Sequence, residues 1–373
     1  MSEEKVILIT GVASIWGERV ASRLLAQSRM RIDSVEAGDG HDGEAGIHVI
    51  GVDVEPPAEE IEGLDYIQVD VRNPLFSELL KSEKVDIVCH LNFDHKYYRS
   101  EKAFDFNVLG TMKVIGACSE AGVKKIILKS STAVYGAHPG NPAFLTEQHP
   151  LRGSKTYGYT RDMVEIASFC NGYCSQPTEM GLTILRFPSI IGPSADTPMM
   201  RYLNQRAVPK LMGFDPMMQI IHESDVVEAL VKTIEEDIPG VYNVAADGVL
   251  PLQRLIGLAG KISMPVIHPI AYIGTDVMSG ARLPLERIAP IEWDYLRYTW
   301  VADVTRMHDE MDFSPKYTAL EILREFNSVQ KINRYKGDTM KLYSDDEYLR
   351  FIIESRSRIR EQEMNENEDV DNE

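Results

Sequence analysis

Short apolar runs alternate with amphipathic stretches through the first half of the chain. Residues 5–10 are almost unbroken in their apolar character, the pattern of a strand covered on both faces. A glycine-containing turn follows, then a helical pattern from Trp16 to Gln27. The Gly- and Asp-rich stretch 33–46 reads as a surface loop. Further strands are expected at 48–53, 66–70, 85–91 and 125–130, and later ones at 182–186 and 240–244. Helical patterns at 74–82 and 101–121 separate several of them. Strands that alternate with helices build a parallel sheet clothed on both faces, an α/β architecture. Beyond about residue 190 the alternation loosens. Pro- and Met-rich segments at 193–218 and 261–290 point to a smaller lobe assembled from insertions. Near the end, Tyr348, Ile352, Ser355 and Ile359, with Leu349 and Ile353 beside them, give a helix with one apolar face over 345–360, expected to pack on the core. Residues 361–373 hold seven acids and no base and are expected to be disordered.

Composition narrows the function classes. A chain of 373 residues with 44% hydrophobic and 26% charged residues is an ordinary globular protein, large enough for two domains or one domain with an added lobe. No run of 18 apolar residues occurs, so no membrane-spanning helix is expected. The start, Met1 to Lys5, lacks the basic and apolar pattern of a secretion signal. The formal charge of −18 argues against a nucleic-acid or membrane partner, although the last 13 residues alone carry −7. Cys89 and Cys118 sit in apolar segments, and Cys170 and Cys174 share a helix face without forming a Cys-x-x-Cys pair. Reduced thiols in a cytoplasmic protein are the expectation. The histidines show no metal-ligand spacing, so no metal is expected.

The first turn carries the chemistry. Thr10-Gly11-Val12-Ala13-Ser14-Ile15-Trp16-Gly17 lies between a strand and a helix. Gly11 permits a tight turn, Gly17 lets helix and strand approach, and the helix N-terminus offers amides to a pyrophosphate. Ser14 stands where a further glycine would ease backbone approach, and its hydroxyl is a candidate phosphate donor. Asp53, ending the second strand, would accept hydrogen bonds from adenosine ribose hydroxyls and repel a 2′-phosphate, which favours NAD over NADP.

These features resemble the extended short-chain dehydrogenase/reductase family, in its NAD-dependent epimerase/dehydratase group typified by UDP-galactose 4-epimerase. The resemblance extends to about residue 325. It rests on Thr10–Gly17, on Asp70-Val71-Arg72 as an adenine-site segment, on His90-Leu91-Asn92-Phe93, on Asn107-Val108-Leu109-Gly110-Thr111, and on Ser130-Ser131-Thr132-Ala133-Val134-Tyr135-Gly136. Later landmarks are Ile221–Val226 and Val241–Val244. The resemblance implies a Rossmann-type doubly wound sheet. It places an NAD-binding domain over 1–190, with sheet elements returning from about 215–245. A mainly substrate-binding lobe is expected over 191–335, and the chain's own pattern adds a C-terminal helix over 336–360 and the acidic tail over 361–373.

The family's catalytic helix reads Tyr-Gly-x-Ser-Lys. Here it is Tyr157-Gly158-Tyr159-Thr160-Arg161, followed by Glu165. The resemblance implies Ser131, Tyr157 and Arg161 as catalytic residues. It implies Gly11, Ser14, Gly17, Asp53, Asp70, Val71, Asn107, Tyr157 and Arg161 at the cofactor, and Thr132, Ser189 and Arg287 toward substrate. Arg282 and Arg297 are alternatives to Arg287. Asn107 is expected to brace structure more than to react, and His222 and Asp225 to cap and brace a helix. Tyrosine ordinarily ionises near pH 10, so a proton-abstracting Tyr157 needs positive charge beside it. Arg161 keeps the charge at the same helical spacing but is bulkier and planar. Arg72 and Arg161 together are expected to make the cleft locally positive.

Three readings remain open. The first is an NAD-dependent sugar or nucleotide-sugar epimerase, favoured over a dehydratase because Thr132-Ala133 stands where a dehydratase carries Asp-Glu. The second is an NAD(P)-dependent reductase of the same fold. The third is an NAD-binding regulator or scaffold with weak catalysis, which the changes at Ser14, Arg161 and Ser189 favour. The helices at 101–121 and 158–172 would permit a homodimer.

Overall fold

The computed structural model describes residues 5–36, 46–95, 98–155, 157–174, 180–280 and 290–337. The first half alternates as the sequence predicts. Strands β1 (Lys5–Thr10), β2 (Ile47–Asp53), β3 (Asp65–Gln68), β4 (Ile87–His90) and β5 (Lys125–Ser131) are joined through helices α1 (Ile15–Glu36), α2 (Phe76–Ser82), α3 (Glu101–Phe104) and α4 (Gly110–Ala121). Helix α5 (Gly158–Cys174) leads to β6 (Gly181–Phe187) and the short β7 (Ser189–Ile191). Then come α6 (Pro198–Leu203), β8 (Ala207–Leu211), β9 (Met217–Met218), β10 (Ile220–His222) and α7 (Glu223–Glu235). Strand β11 (Gly240–Asn243), β12 (Leu250–Pro251), α8 (Leu252–Leu258), β13 (Ile262–Val266) and α9 (His268–Gly280) follow, and helices Thr305–Asp309 and Ala319–Gly337 lie beyond.

The main sheet has seven strands in the order β11-β6-β5-β4-β1-β2-β3, and every pairing in it is parallel. Chain order reverses at β1, which lies between β2 and β4. A crevice therefore opens at the carboxyl ends of these strands, where open α/β sheets bind ligands. The central strands are apolar because helices cover both faces. Ile7, Leu8, Ile9, Ile50, Val88, Cys89, Ile126 and Ile127 are fully buried. Cys118 and Cys170 are buried in the same core.

Several expectations shift in detail. Helix α1 continues to Glu36, so the segment expected to loop from residue 33 begins helical, while residues 37–45 lie outside the described residues. The helix expected over 101–121 contains a wide π turn at Asp105–Leu109. Its cause is local. Thr111 Oγ1 bonds the Asn107 carbonyl at 2.5 Å, and the Asn107 amide is drawn sideways onto Asp94 and Asp162. Of segment 215–245, only β11 joins the main sheet, whereas β9 pairs with β12 and β10 with β7. His222 accepts from the Ser224 amide at the start of α7, and Asp225 accepts from the Lys316 and Tyr317 amides, so both cap and brace. The expected 345–360 helix and the acidic tail lie outside the described residues.

A buried polar network joins the sheet edge to the later segments. Arg186, only 1% exposed, donates to Tyr135 Oη at 2.8 Å and to the Glu147 carbonyl at 3.2 Å. Tyr135 donates to Asn243 Oδ1 at 2.6 Å, and Asn243 Nδ2 donates to the Leu145 and Asp303 carbonyls. Burial pushes the Tyr135 phenol upward in pKa, with Arg186 opposing, so it stays neutral as a donor. Replacing Tyr135 with Phe keeps the shape and strips partners from buried groups. Urea unfolding of Tyr135→Phe is expected to show a loss of about 1–3 kcal/mol. An unchanged midpoint would mean that the network adds nothing.

Candidate active site

The β1–α1 turn is built on two glycines that nothing else can replace. Gly11 has φ +73°, and a Cβ there would stand 2.8 Å from the Asn92 backbone. A Cβ on Gly17 would collide with the Gly11 carbonyl oxygen. The turn thus packs directly against the chain leaving β4, which only glycine permits. Ser14 ties the turn together. Its hydroxyl donates to the Gly11 carbonyl at 2.6 Å and accepts from the Gly17 amide at 3.1 Å. That is a different employment from the phosphate donor expected of it.

Asp53 ends β2 beside this turn. Its carboxylate accepts from the Ala13 amide at 3.1 Å and the Val54 amide at 2.7 Å. Burial pushes its pKa up, and those amides pull it back. A carboxylate offers about four acceptor positions, so Asp53 retains capacity for hydroxyl donors. Asp70 is held by Arg72 at 2.6 Å, and Arg72 also reaches Asp105 at 2.6 Å. Arg72 holds the Asp70 carboxyl below its ordinary range. Val71 is buried between them in sequence. Asn107 is fully buried and braces the loop after β4 through both Asp94 backbone groups.

A cavity of about 330 Å³ lies at the carboxyl ends of the strands. It brings together Ser14 and Trp16 from the turn and α1, Ser131 from β5, Tyr157 ahead of α5, and Ser189 from β7. Ser131 also accepts from the Ala133 amide at 3.1 Å, which aims the strand end. Tyr157 is set by the first turn of α5, where its carbonyl accepts from the Arg161 amide at 3.0 Å. Thr132 does not belong to this wall, being fully buried and not among the residues that line the cavity. Asp53, Asp70, Val71 and Asn107 lie outside the cavity. Arg282 and Arg287 are outside the described residues, and Arg297 packs over Phe214 and Tyr298 instead of the cavity.

Arg161 departs most from expectation. Its Nε and Nη2 both donate to Asp162 Oδ1, at 2.9 and 2.6 Å, and its guanidinium lies 4.8 Å from the Phe104 ring. It does not line the cavity. The positive cleft expected from Arg72 and Arg161 is therefore not formed by them, because each is neutralised by carboxylates. The cation facing the cavity is Lys129 of β5, with Nζ 5.0 Å from the centre of the Trp16 ring. Motif reading passes over both Lys129 and Asp162. A signal for Lys129 exists: it interrupts the apolar run of a strand buried on both faces, where a lysine is out of pattern.

Lys129 is only 5% exposed, and burial pushes it down to about 8 from an ordinary value near 10.5. Below pH 8 the folded chain must hold a buried charge. Between that pH and 10.5 the unfolded chain binds a proton that the folded one has lost, so this residue's cost fades as pH rises. Lys129→Met is therefore expected to be more stable than the parent at pH 7 in denaturant titrations, with the gap narrowing by pH 10. A gap that widens with pH would contradict this burial.

With this geometry in place, comparison with known proteins is informative. The profile of the NAD dependent epimerase/dehydratase family matches residues 7–245. The uncharacterized protein Rv0501 of Mycobacterium tuberculosis is 29% identical over 330 residues, spanning 86% of this chain and 83% of that protein. The N-acetyl-alpha-D-glucosaminyl-diphospho-ditrans,octacis-undecaprenol 4-epimerase of Escherichia coli O157:H7 is 27% identical over 249 residues, covering 63% of this chain and 74% of its own length. Among solved structures, MoeE5 in complex with UDP-glucuronic acid and NAD superposes with a TM-score of 0.65 at 19% identity, covering 88% of this chain and 99% of MoeE5. That likeness concerns the fold. The matched span covers more than half of the chain, and the chain belongs to the NAD dependent epimerase/dehydratase family.

Proposed function

We propose that this protein binds NAD and epimerises a sugar carried on a diphosphate, with a nucleotide sugar as the first candidate substrate. The observation that carries this reading is the cavity in which Ser131 and Tyr157 meet beside the glycine turn. The residues present fit the cofactor. Gly11 and Gly17 let the β1–α1 turn close tightly on the chain leaving β4, so the N-terminus of α1 is held at the carboxyl end of β1, and Asp53 presents an acceptor carboxylate at the end of β2. NAD, when bound, supplies reversible hydride acceptance at a sugar carbon. The chain's own part is to hold and move a proton. Tyr157 takes the proton of the sugar hydroxyl and later returns it, and Ser131 hydrogen-bonds the same oxygen. The apolar wall of Leu91, Phe93 and Phe187 excludes water while the oxidised sugar turns over in the cavity.

One observation favours a second reading, an NAD-binding regulator. Arg161 is paired with Asp162 and does not line the cavity, so the family's helical cation is engaged elsewhere. Retention of both Ser131 and Tyr157 in one cavity favours catalysis, since a regulator has no need of the pair. Cytoplasmic placement belongs to the same reading. So does a homodimer through α4 and α5, for which the half-buried Phe169 and Tyr173 on α5 offer apolar surface.

The first test is to denature the purified protein and assay released nucleotide by mass spectrometry. NAD is expected, and its absence together with failure to bind added NAD would defeat the reading. Tyr157→Phe is then expected to keep NAD and lose about 10²–10⁴-fold in turnover on a panel including UDP-glucose and UDP-N-acetylglucosamine. Bound NAD with no turnover on any diphosphate sugar by the parent protein would favour the regulator.

A further inference from the structure

Lysine is a rare guest in a strand covered on both faces, because burial of an ammonium costs free energy unless something uses it. Lys129 sits in β5 between Leu128 and Ser130. Side chains two apart on a strand share a face, so Lys129 projects on the same side as Ser131. Both line the cavity together with Tyr157. Among the described residues, Lys129 is the only lysine or arginine that lines it.

The other titratable groups around this cavity are accounted for. Asp196 is held by two bonds from Arg201, each 2.7 Å. Glu292 accepts from the Ser154 hydroxyl at 2.9 Å, and burial pushes its pKa up. His95 stacks on Tyr159 with ring centroids 4.1 Å apart, and burial raises the Tyr159 phenol. Tyr295 donates to the Ala133 carbonyl at 2.7 Å. Among the described residues, no carboxylate forms an ion pair with Lys129. Its ammonium rests against Trp16, whose ring face attracts a cation without discharging it. The charge is therefore available to the cavity.

Arg161 cannot supply that charge without cost. Asp162 is 1% exposed, and withdrawing the guanidinium would leave a buried carboxylate with the Asn107 amide at 3.0 Å but no cation. The helix position that the family gives to a cation is thus committed to structure, and a second cation stands on the neighbouring strand.

Resting on the epimerase reading, we propose that Lys129, delivered from β5, is the cation that poises Tyr157 for proton abstraction, in place of a basic residue on α5. Lys129 acts through Tyr157, as a positioning residue in the electrostatic sense. An ammonium in the same cavity as the phenol favours its ionised form. No change in the helix is needed, since the charge comes from β5 and not from α5.

The test reads Tyr157 itself. Tyrosinate absorbance near 295 nm is followed against pH for the full chain with and without Tyr157→Phe, so that the difference isolates one phenol. The measurement is repeated in Lys129→Met, Lys129→Gln and Lys129→Arg, and in a double variant with Arg161→Gln and Asp162→Asn, which removes the helix ion pair as a unit. Lys129→Met and Lys129→Gln are expected to move the Tyr157 titration upward by about one pH unit or more, and Lys129→Arg to restore most of it. The double variant is expected to leave it in place. A titration unmoved by loss of Lys129, or moved only by loss of the Arg161 pair, overturns the proposal. NAD affinity is measured on the same proteins by equilibrium titration. Lys129→Met that loses NAD affinity while Tyr157 titrates as before would make Lys129 a cofactor anchor and likewise overturn the proposal. A parent protein that binds no NAD would defeat the proposed function instead, and the shift of Tyr157 in the apo chain would still decide the role of Lys129. Should Lys129→Met fail to fold, the contrast of Gln with Arg at 129 gives the same decision.

Discussion

Asp162 is a carboxylate almost wholly removed from water, and the active-site end of this fold is arranged around keeping it paired. Its Oδ1 takes two bonds from Arg161 and its Oδ2 one from Asn107. Asn107 in turn grips the backbone of Asp94, in the chain that leaves β4. The π turn at Asp105–Leu109 lets the Asn107 side chain make both contacts while Phe104 lies over the Arg161 guanidinium. A buried charge that loses its partner costs several kcal/mol, on the order of 3–5, so these contacts constrain α3, α4, α5 and the β4 loop jointly.

The same constraint redistributes charge in the cavity. With Arg161 spent on Asp162 and Arg72 spent on Asp70 and Asp105, neither arginine lines the cavity that holds Tyr157. Lys129 restores positive charge from β5. Its ammonium lies over the Trp16 ring, and the residue lines the cavity. At neutral pH a lysine that burial lowers to about 8 remains mostly protonated, so the charge is present at the pH of the proposed proton abstraction.

Much of this was legible in the sequence. The apolar runs located the strands of the main sheet, because parallel strands buried on both faces leave little room for polar residues. Gly11, Gly17 and Asp53 announced the turn, since a positive φ and a close backbone contact admit few residue types. Ser131, Tyr157 and Ser189 do share one cavity. Other features depend on pairings between distant positions. Arg161 reads as an active-site cation until Asp162, Asn107 and Phe104 are seen to surround it. Thr132 follows Ser131 by one place, and the turn that Ser131 caps sends its side chain into the core. Lys129 was visible only as a breach of pattern in β5, and pattern alone does not say which side of a sheet holds the ligand.

The most direct test of the account is a crystal structure of the NAD complex, in which the distances from Lys129 Nζ and from the Arg161 guanidinium to Tyr157 Oη are measured. The account predicts the ammonium facing the Tyr157 phenol across the cavity and Arg161 still closed on Asp162. An Arg161 that has swung off Asp162 to reach Tyr157, with Lys129 directed elsewhere, would contradict it.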